Sequence, residues 1–167
     1  MNRQAKSVIT YVLVSLGFLV LDQWVKAWVR KKLFEGQTLA SPLPGVFEIK
    51  LTFNEGIAFG LAQGAGKVFA PIALIIVGYA AHYCWKNPAS RMMQWTLGLL
   101  TAGALGNVID RIFRDRVTDM FWFRAINFPV FNIADVCITA AAILLIIHSI
   151  RQPDGPKVVP APEQNQA

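Results

Sequence analysis

From Phe131 to Ile150 the chain reads FNIADVCITAAAILLIIHSI, and this stretch decides the fold. Its one formally charged residue, Asp135, lies near one end. About 20 helical residues, at 1.5 Å each, cross the ~30 Å of hydrocarbon in a bilayer. Three further runs approach the same length: Val8–Val25, Val68–Trp85 and Met93–Ile112. The whole chain has 167 residues, 54% of them hydrophobic and only 16% charged, with a mean hydropathy of +0.44. A soluble domain of that size would carry more charge and shorter apolar runs. The four runs predict an all-α membrane protein built as a four-helix transmembrane bundle. Met1–Lys6 followed by an apolar run imitates a signal peptide. That run is long, contains Asp22 and lacks a small-x-small exit, so it reads as an uncleaved first span.

The net charge of +6 is scattered beside the apolar runs rather than gathered into a groove. Lys26, Arg30, Lys31 and Lys32 follow the first run, and Lys86 and Arg91 separate the second from the third. That arrangement suits lipid headgroups, so membrane lipids are the expected partners and nucleic acid is not. Cys84 and Cys137 lie in different runs without metal-ligand spacing and read as packing residues. His82 and His148 stand alone, with no His-Glu-x-x-His, which disfavours a membrane zinc protease. No metal and no cofactor is expected.

Outside the bilayer, Ser41-Pro42-Leu43-Pro44-Gly45 is a turn cluster. Beyond it Phe47, Ile49, Leu51 and Phe53 alternate with Glu48, Lys50 and Thr52, the period of an amphipathic strand. Asn54-Glu55-Gly56 supplies a turn, and Ile57–Leu61 is expected to return as a second strand. A small extramembrane β-sheet, or cradle, is thus expected within 33–66, between helices 1 and 2. Residues 113–130 are expected to form an interfacial loop, because Phe121, Trp122, Phe123 and Phe128 favour the headgroup region. The membrane domain is expected to span 1–152. The tail 153–167, proline-rich and without periodicity, is expected to be disordered.

Four crossings would put both termini on one side. Asp22 and Lys26, Asn54 to Gly56, Asn107 to Asp119, and Asn132 to Asp135 then all fall at or near the opposite side. One face carries the chemistry. A plain count gives six basic residues beside the termini and ten beside the chemistry, which by the positive-inside rule would put the chemistry in the cytoplasm.

An ionisable group inside a span costs ~2.5–3.5 kcal/mol on insertion scales, so each requires a reason. Asp22 and Lys26 stand at i,i+4 with the acid first, the better orientation for a helical ion pair, and Ser15 shares their face. They read either as a structural pair or as a border of the site. Gly98, Ala102 and Gly106 form a small-residue stripe that permits close helix approach. Gly103, Asn107 and Arg111 form a second stripe with Asp110 beside it. A bare Asp110–Arg111 pair would leave Asn107 unexplained, so this ladder reads as part of a site.

Asp119 lies a few residues past the third run and Asp135 opens the fourth. Consecutive antiparallel spans bring both acids to one depth. Asn132, at i−3 from Asp135, shares its helical face and is expected to hold its carboxylate. Two neighbouring carboxyls do not both ionise readily, so they share a proton. One can then activate water while the other protonates a carbonyl or leaving nitrogen. Spacing alone leaves a second class open, a small transporter or proton-relay protein. That class, however, has no use for a peptide platform such as Phe47–Phe59.

At these residues the sequence resembles lipoprotein signal peptidase, or signal peptidase II, of bacterial inner membranes. Leu21-Asp22-Gln23-Trp24-Val25-Lys26 looks like the family's first motif, and Phe53-Asn54-Glu55-Gly56-Ile57-Ala58-Phe59 like its Asn-x-Gly-x-Ala-Phe segment. Gly103–Arg111 is similar to its Gly-Ala-Leu-Gly-Asn-x-x-Asp-Arg motif, Val117–Met120 to its Val-x-Asp segment, and Phe131–Asp135 to its Phe-Asn-x-Ala-Asp. Ile57 stands where alanine is commoner, and Thr118 where valine is. The resemblance implies an aspartic endopeptidase with Asp119 and Asp135 as its dyad. Asn54, Gly56, Asn107, Asp110, Arg111, Asn132 and Ala134, with Asp22 and Lys26, would shape the site and hold substrate. It implies diacylglyceryl-modified prolipoprotein substrates cut just before the lipidated cysteine, and inhibition by globomycin. It also implies a multi-pass inner-membrane protein with cytoplasmic termini and a periplasmic active site, against the charge count. The five ordered motifs outweigh that count.

Overall fold

Polar side chains at Asn2, Ser90 and Asn132 cap helix starts. In the computed structural model, whose described residues are 2–39, 41, 43–56, 66–87 and 90–151, α1 runs Arg3–Lys32, α2 Gly66–Lys86, α3 Arg91–Arg114 and α4 Ile133–Arg151. The Asn2 side chain accepts from the Ala5 amide (2.8 Å), and Ser90 Oγ from the Met93 amide (3.2 Å). Asn132 and Asp135 form a reciprocal box at the head of α4. Asn132 Oδ1 accepts from the Asp135 amide at 3.0 Å, and Asp135 Oδ2 from the Asn132 amide at 3.1 Å. α3 stops at Asp115, whose left-handed backbone (φ 63°) lets its N–H close back on the Arg111 carbonyl. The four predicted runs correspond to these helices. The last starts two residues late, because Phe131 bridges to Phe121 and Asn132 serves as the cap.

α3 is the central helix and packs against α1, α4 and α2. Its glycines set how close the others come. A Cβ on Gly106 would stand 2.6 Å from Asp22 Oδ2 of α1, and one on Gly103 would run into the Ala134 carbonyl of α4. Side chains thus give way to backbone contact where three helices meet. Gln4 of α1 donates to the Cys84 carbonyl (3.0 Å) and the Trp85 carbonyl of α2, tying the opposite end of the bundle. Cys84 and Cys137 are buried and free, each in its own apolar cluster.

Away from α3 the helices present apolar side chains outward: Leu13, Leu16 and Val20 on α1, Ile72, Ile75 and Tyr79 on α2, Ile143, Ile146 and Ile150 on α4. So much exposed apolar surface fits a hydrocarbon surround rather than water. Among the described residues, α1 and α4 are long and apolar enough to cross a bilayer.

Among the described residues two strands complete the fold, β1 (Glu48–Asn54) and β2 (Val117–Trp122), paired antiparallel with Thr52 opposite Asp119 and Asn54 opposite Val117. β2 occupies the segment expected to be a loop, and a short 3₁₀ turn, Arg124–Ile126, follows it. The return strand expected at Ile57–Leu61 lies outside the described residues, as does the tail. β1 pairs with 117–122 on one edge. On the other, Leu39 N–H donates to the Ile49 carbonyl (2.9 Å) and Leu51 N–H to the Gln37 carbonyl (3.1 Å). Val29, Leu33, Leu51 and Met120 form one buried cluster that seats the sheet on the end of α1. Met120 is fully buried there, and strand alternation turns its neighbour Asp119 to the other face, toward α4.

Candidate active site

Asp119 sits on β2, almost wholly buried at 3% exposure, and Asp135 sits in the first turn of α4, partly open. The residue that joins them is Asn132. Its backbone N–H donates to Asp135 Oδ2 (3.1 Å) while its side-chain amide donates to Asp119 Oδ1 (2.7 Å). Asn132 thus holds the Asp135 carboxylate, as helical spacing leads one to expect, but through its main chain: a cap residue turns its amide N–H toward the first turn and leaves its side chain free to reach across to β2. The same side-chain amide also donates to Asn107 Oδ1 (3.1 Å), and Asn107 Nδ2 donates to Asp135 Oδ1 (2.8 Å). Asn132, Asn107 and Asp135 thus close a ring of hydrogen bonds between α3 and the head of α4, and Asp119 of β2 joins it through Asn132.

The two acids are electrostatically coupled. Burial, reinforced by the negative charge of Asp135, pushes the Asp119 carboxyl up to about 7. Hydrogen bonds from Asn132 and Asn54 and the cation of Lys26 oppose that rise and lose to it. Such a pair holds one proton between two carboxyls near neutrality, the state a general acid–base pair requires.

Asn54 reaches Asp119 from the end of β1 and also folds the following turn, its Oδ1 accepting from the Gly56 amide at 2.9 Å. The Gly56 carbonyl in turn accepts from Arg111 Nη2 (3.1 Å), and Arg111 Nη1 donates to the Asn107 carbonyl (3.4 Å). Arg111 lies within electrostatic reach of both acids. It therefore ties the post-β1 turn to α3 at the edge of the site.

Beneath the ring lies a second, fully buried layer. Lys26 Nζ stands 2.9 Å from Asp22 Oδ2, 3.6 Å from Asp110 Oδ2 and 3.1 Å from Asn107 Oδ1, and donates to the Gly106 carbonyl at 3.3 Å. Asp22 Oδ1 accepts from the Ala134 amide (2.9 Å), next to Asp135. Asp110 accepts from the Thr118 amide (2.9 Å), next to Asp119, and pairs with Arg114 (3.2 Å) and Arg30 (3.7 Å). Both readings of the Asp22–Lys26 pair therefore hold. It is a buried ion pair, and it borders the site. Asp110 and its sequence neighbour Arg111 serve opposite sides, Asp110 toward α1 and β2, Arg111 toward Gly56.

Of the candidate residues, Asp119, Asp135, Asn132 and Asn107 stand in or on the ring, Asp22, Lys26, Asp110 and the Ala134 amide in the layer beneath, and Asn54, Gly56 and Arg111 at the edge. Gln23, Arg30 and Thr118 escape the sequence reading. Gln23 Nε2 donates to the Gly106 carbonyl (3.0 Å) and Asp22 Oδ2 (3.1 Å), and Arg30 Nη1 donates to Thr118 Oγ1 (2.7 Å). A signal for Arg30 is present, since Asp22, Lys26 and Arg30 share one face at i, i+4 and i+8.

Comparison with known proteins follows the same lines. The family described as signal peptidase (SPase) II matches residues 14–151. Proteins named lipoprotein signal peptidase are similar over most of the chain. That of Deinococcus radiodurans is 37% identical over 146 residues, covering 81% of this chain and 76% of its own. That of Geobacillus thermodenitrificans is 36% identical over 143 residues, covering 84% and 89%. A solved bacterial membrane enzyme, determined in meso at 2.3 Å, superposes with a TM-score of 0.80 at 28% identity, covering 95% of this chain and 93% of that one. A second, determined in meso at 1.9 Å, gives a TM-score of 0.76 at 31% identity, covering 85% and 93%.

Proposed function

Because the chain belongs to the signal peptidase II family, we propose that it is an intramembrane aspartic endopeptidase that removes signal peptides from lipid-modified prolipoproteins, cutting before the diacylglyceryl-cysteine. The observation that carries the mechanism is the single residue Asn132 hydrogen-bonded to both acids, with Asp119 holding its proton to about pH 7. Asp119 is the acid half, giving its proton to the scissile carbonyl oxygen. Asp135, more open to solvent and accepting N–H donors on both oxygens, takes the proton from the attacking water. On collapse of the tetrahedral intermediate Asp135 gives the proton it took from water to the leaving nitrogen, and Asp119 takes one back from a hydroxyl of the intermediate, so both acids return to their starting states. Asn54, Gly56 and Arg111 border the opening, where peptide backbone would lie. The competing idea of a proton-relay protein finds no support in the family match.

All four helices are proposed to cross the bilayer, with the termini in the cytoplasm and the acids at the periplasmic side. Helix lengths of 30, 21, 24 and 19 residues and the outward apolar faces support this. The charge count that argues otherwise loses force on inspection of its members. Lys26 is sealed inside, Arg30 and Arg114 turn to Asp110, Arg111 reaches Gly56, and Arg116 and Arg124 pair with Glu35 and Glu48. Few are left as free topogenic charges. Globomycin-type inhibitors are expected to compete for the same opening.

The test is cleavage of a lipidated precursor by purified protein. Asp119→Asn and Asp135→Asn should each reduce turnover to background in folded protein, since removing one member of a unit costs nearly as much as removing both. Substantial turnover by either variant would reject the dyad.

A further inference from the structure

Thr118 is fully buried and immediately precedes Asp119 on β2, with its side chain on the opposite face of the strand. That face is turned toward α1 and α3. Its hydroxyl lies 2.7 Å from Arg30 Nη1, and its backbone N–H donates to Asp110 Oδ2 at 2.9 Å. Arg30 is mostly buried and also approaches Asp110 Oδ1 at 3.7 Å. The residue before Asp119 is therefore gripped twice, through its main chain and its side chain, by one hub on two helices. The other acid is held through a single main-chain contact of its neighbour. Ala134, the residue before Asp135, donates its N–H to Asp22 Oδ1 at 2.9 Å. Asp22 and Arg30 are both on α1, separated by about 12 Å at the helical rise. One rigid helix thus holds the neighbour of each acid, while β2 belongs to a sheet that has two strands among the described residues and an irregular register between Ile49 and Thr52. A sheet that small is poorly fixed without outside support.

Building on the dyad reading, we propose that α1 sets the separation of the two acids, with Arg30 and Thr118 as the positioning pair that holds Asp119 in register with Asp135. Neither touches substrate. The grip matters in the transition state, when one acid gives a proton and the other takes one across a fixed gap, and a shift of about 1 Å is enough to slow turnover. Arg30 Nη1 serves both partners, the Thr118 hydroxyl at 2.7 Å and Asp110 Oδ1 at 3.7 Å, and the rigid planar guanidinium fixes the direction of that reach.

The experiment measures kcat and KM on a lipidated precursor together with the thermal midpoint of each variant. Thr118→Val keeps a β-branched side chain, removes the hydroxyl and supplies the residue commoner in the family, so a loss here is a dependence particular to this chain's Arg30–Thr118 contact. Arg30→Met removes the donor and leaves Asp110 its Lys26 and Arg114 partners. Each should lower kcat by about tenfold or more, with KM changed by less than about twofold. Thr118→Ser should restore kcat. The double variant should be no slower than the slower single, because both changes cut one contact. Should Arg30→Met fold poorly, Arg30→Lys keeps the charge and loses the planar guanidinium, and it too should lower kcat at an unchanged midpoint. Wild-type kcat in Thr118→Val or Arg30→Lys, multiplicative losses in the double variant, or a loss that only tracks the folded fraction would overturn the pair. Asp119→Asn is run alongside. If it is inactive while the pair variants are not, the positioning claim alone fails. If it is active, the dyad reading fails as well.

Discussion

At the residue scale the site turns on how one proton is kept on Asp119. Burial and the charge of Asp135 raise that carboxyl from 3.8 to about 7, and Asn132 pulls it back. Catalysis that needs this proton should decline as pH rises through about 7, so the kcat profile should have its alkaline limb there. Asn132→Ala removes an amide that favours the charged form. The limb of its residual activity should therefore move to higher pH, and a move to lower pH would contradict the assignment. The same shift has a stability consequence with a definite sign. A carboxyl whose folded value exceeds its unfolded one disfavours the folded state increasingly between the two values, here from 3.8 to about 7. Asp119→Asn should thus gain thermal stability over wild type as pH rises through that window, and gain nothing from this source below it. Melting curves across that range check the sign.

Most of this is legible in the residues, because ionisable groups beside apolar runs demand an explanation and five sets of them recur in order. Arg30 is hidden by its neighbours. In Arg30-Lys31-Lys32 it looks like one more headgroup anchor, and only the packing of β2 against α1 distinguishes it. Asn132 stands out in the sequence, yet its two hands do not, since helical spacing says which residues share a face and not what lies across the gap.

At the element scale, helices are readable from the sequence and half the sheet is not. β1 alternates because one of its faces is covered. Val117–Met120 is buried on both faces, so its pattern shows no period of two, and the rings of Phe121 and Trp122 carry an interfacial signal instead. That β2 pairs with β1 is a tertiary fact, fixed by Asp110 and Phe131 gripping the strand from α3 and from the start of α4. Helix approach is better foretold. Gly106→Ala would set a methyl 2.6 Å from Asp22 Oδ2 and 3.1 Å from Ala134 Cβ, forcing α1 and α4 away from α3 directly under the acids. We expect a loss of about 1–3 kcal/mol and a marked fall in kcat. At Gly17, on the same α1, an added methyl would meet nothing within 4 Å, so Gly17→Ala should be neutral or slightly stabilising. Thermal midpoints and turnover of the two variants, measured side by side, decide whether close packing or helix propensity governs.

At the scale of the whole molecule, the two ends of the bundle differ in kind. One end is tied by Gln4 to α2, and the other carries every site residue and the sheet. Topology is testable in a variant with Cys84 and Cys137 replaced. A new cysteine at Glu35 should react with an impermeant reagent in intact cells, and one at Asn87 only after permeabilisation. The reverse pattern would return the chemistry to the cytoplasm.

The position of the acids, on β2 and in the first turn of α4 at the sheet end of the bundle rather than mid-bundle, also dictates what a substrate must bring. A scissile bond has to be held at that depth long enough for two carboxyls to act on it. A signal peptide that is only an apolar helix can slide along the membrane normal, because each small displacement exchanges like surroundings for like. Acyl chains on the adjacent cysteine remove that freedom. Each buried methylene contributes ~0.8 kcal/mol, and the glycerol linkage pins the residue at the headgroup boundary. Binding energy far from the reacting carbonyl then serves orientation, and it should be expressed in kcat/KM more than in affinity alone. The expected outcome, for one precursor compared before and after diacylglyceryl transfer in the same micelles, is faster cleavage of the lipidated form by at least about tenfold. Equal kcat/KM for the two forms would leave an aspartic peptidase whose substrate is positioned by its peptide, and would remove the lipid from the mechanism.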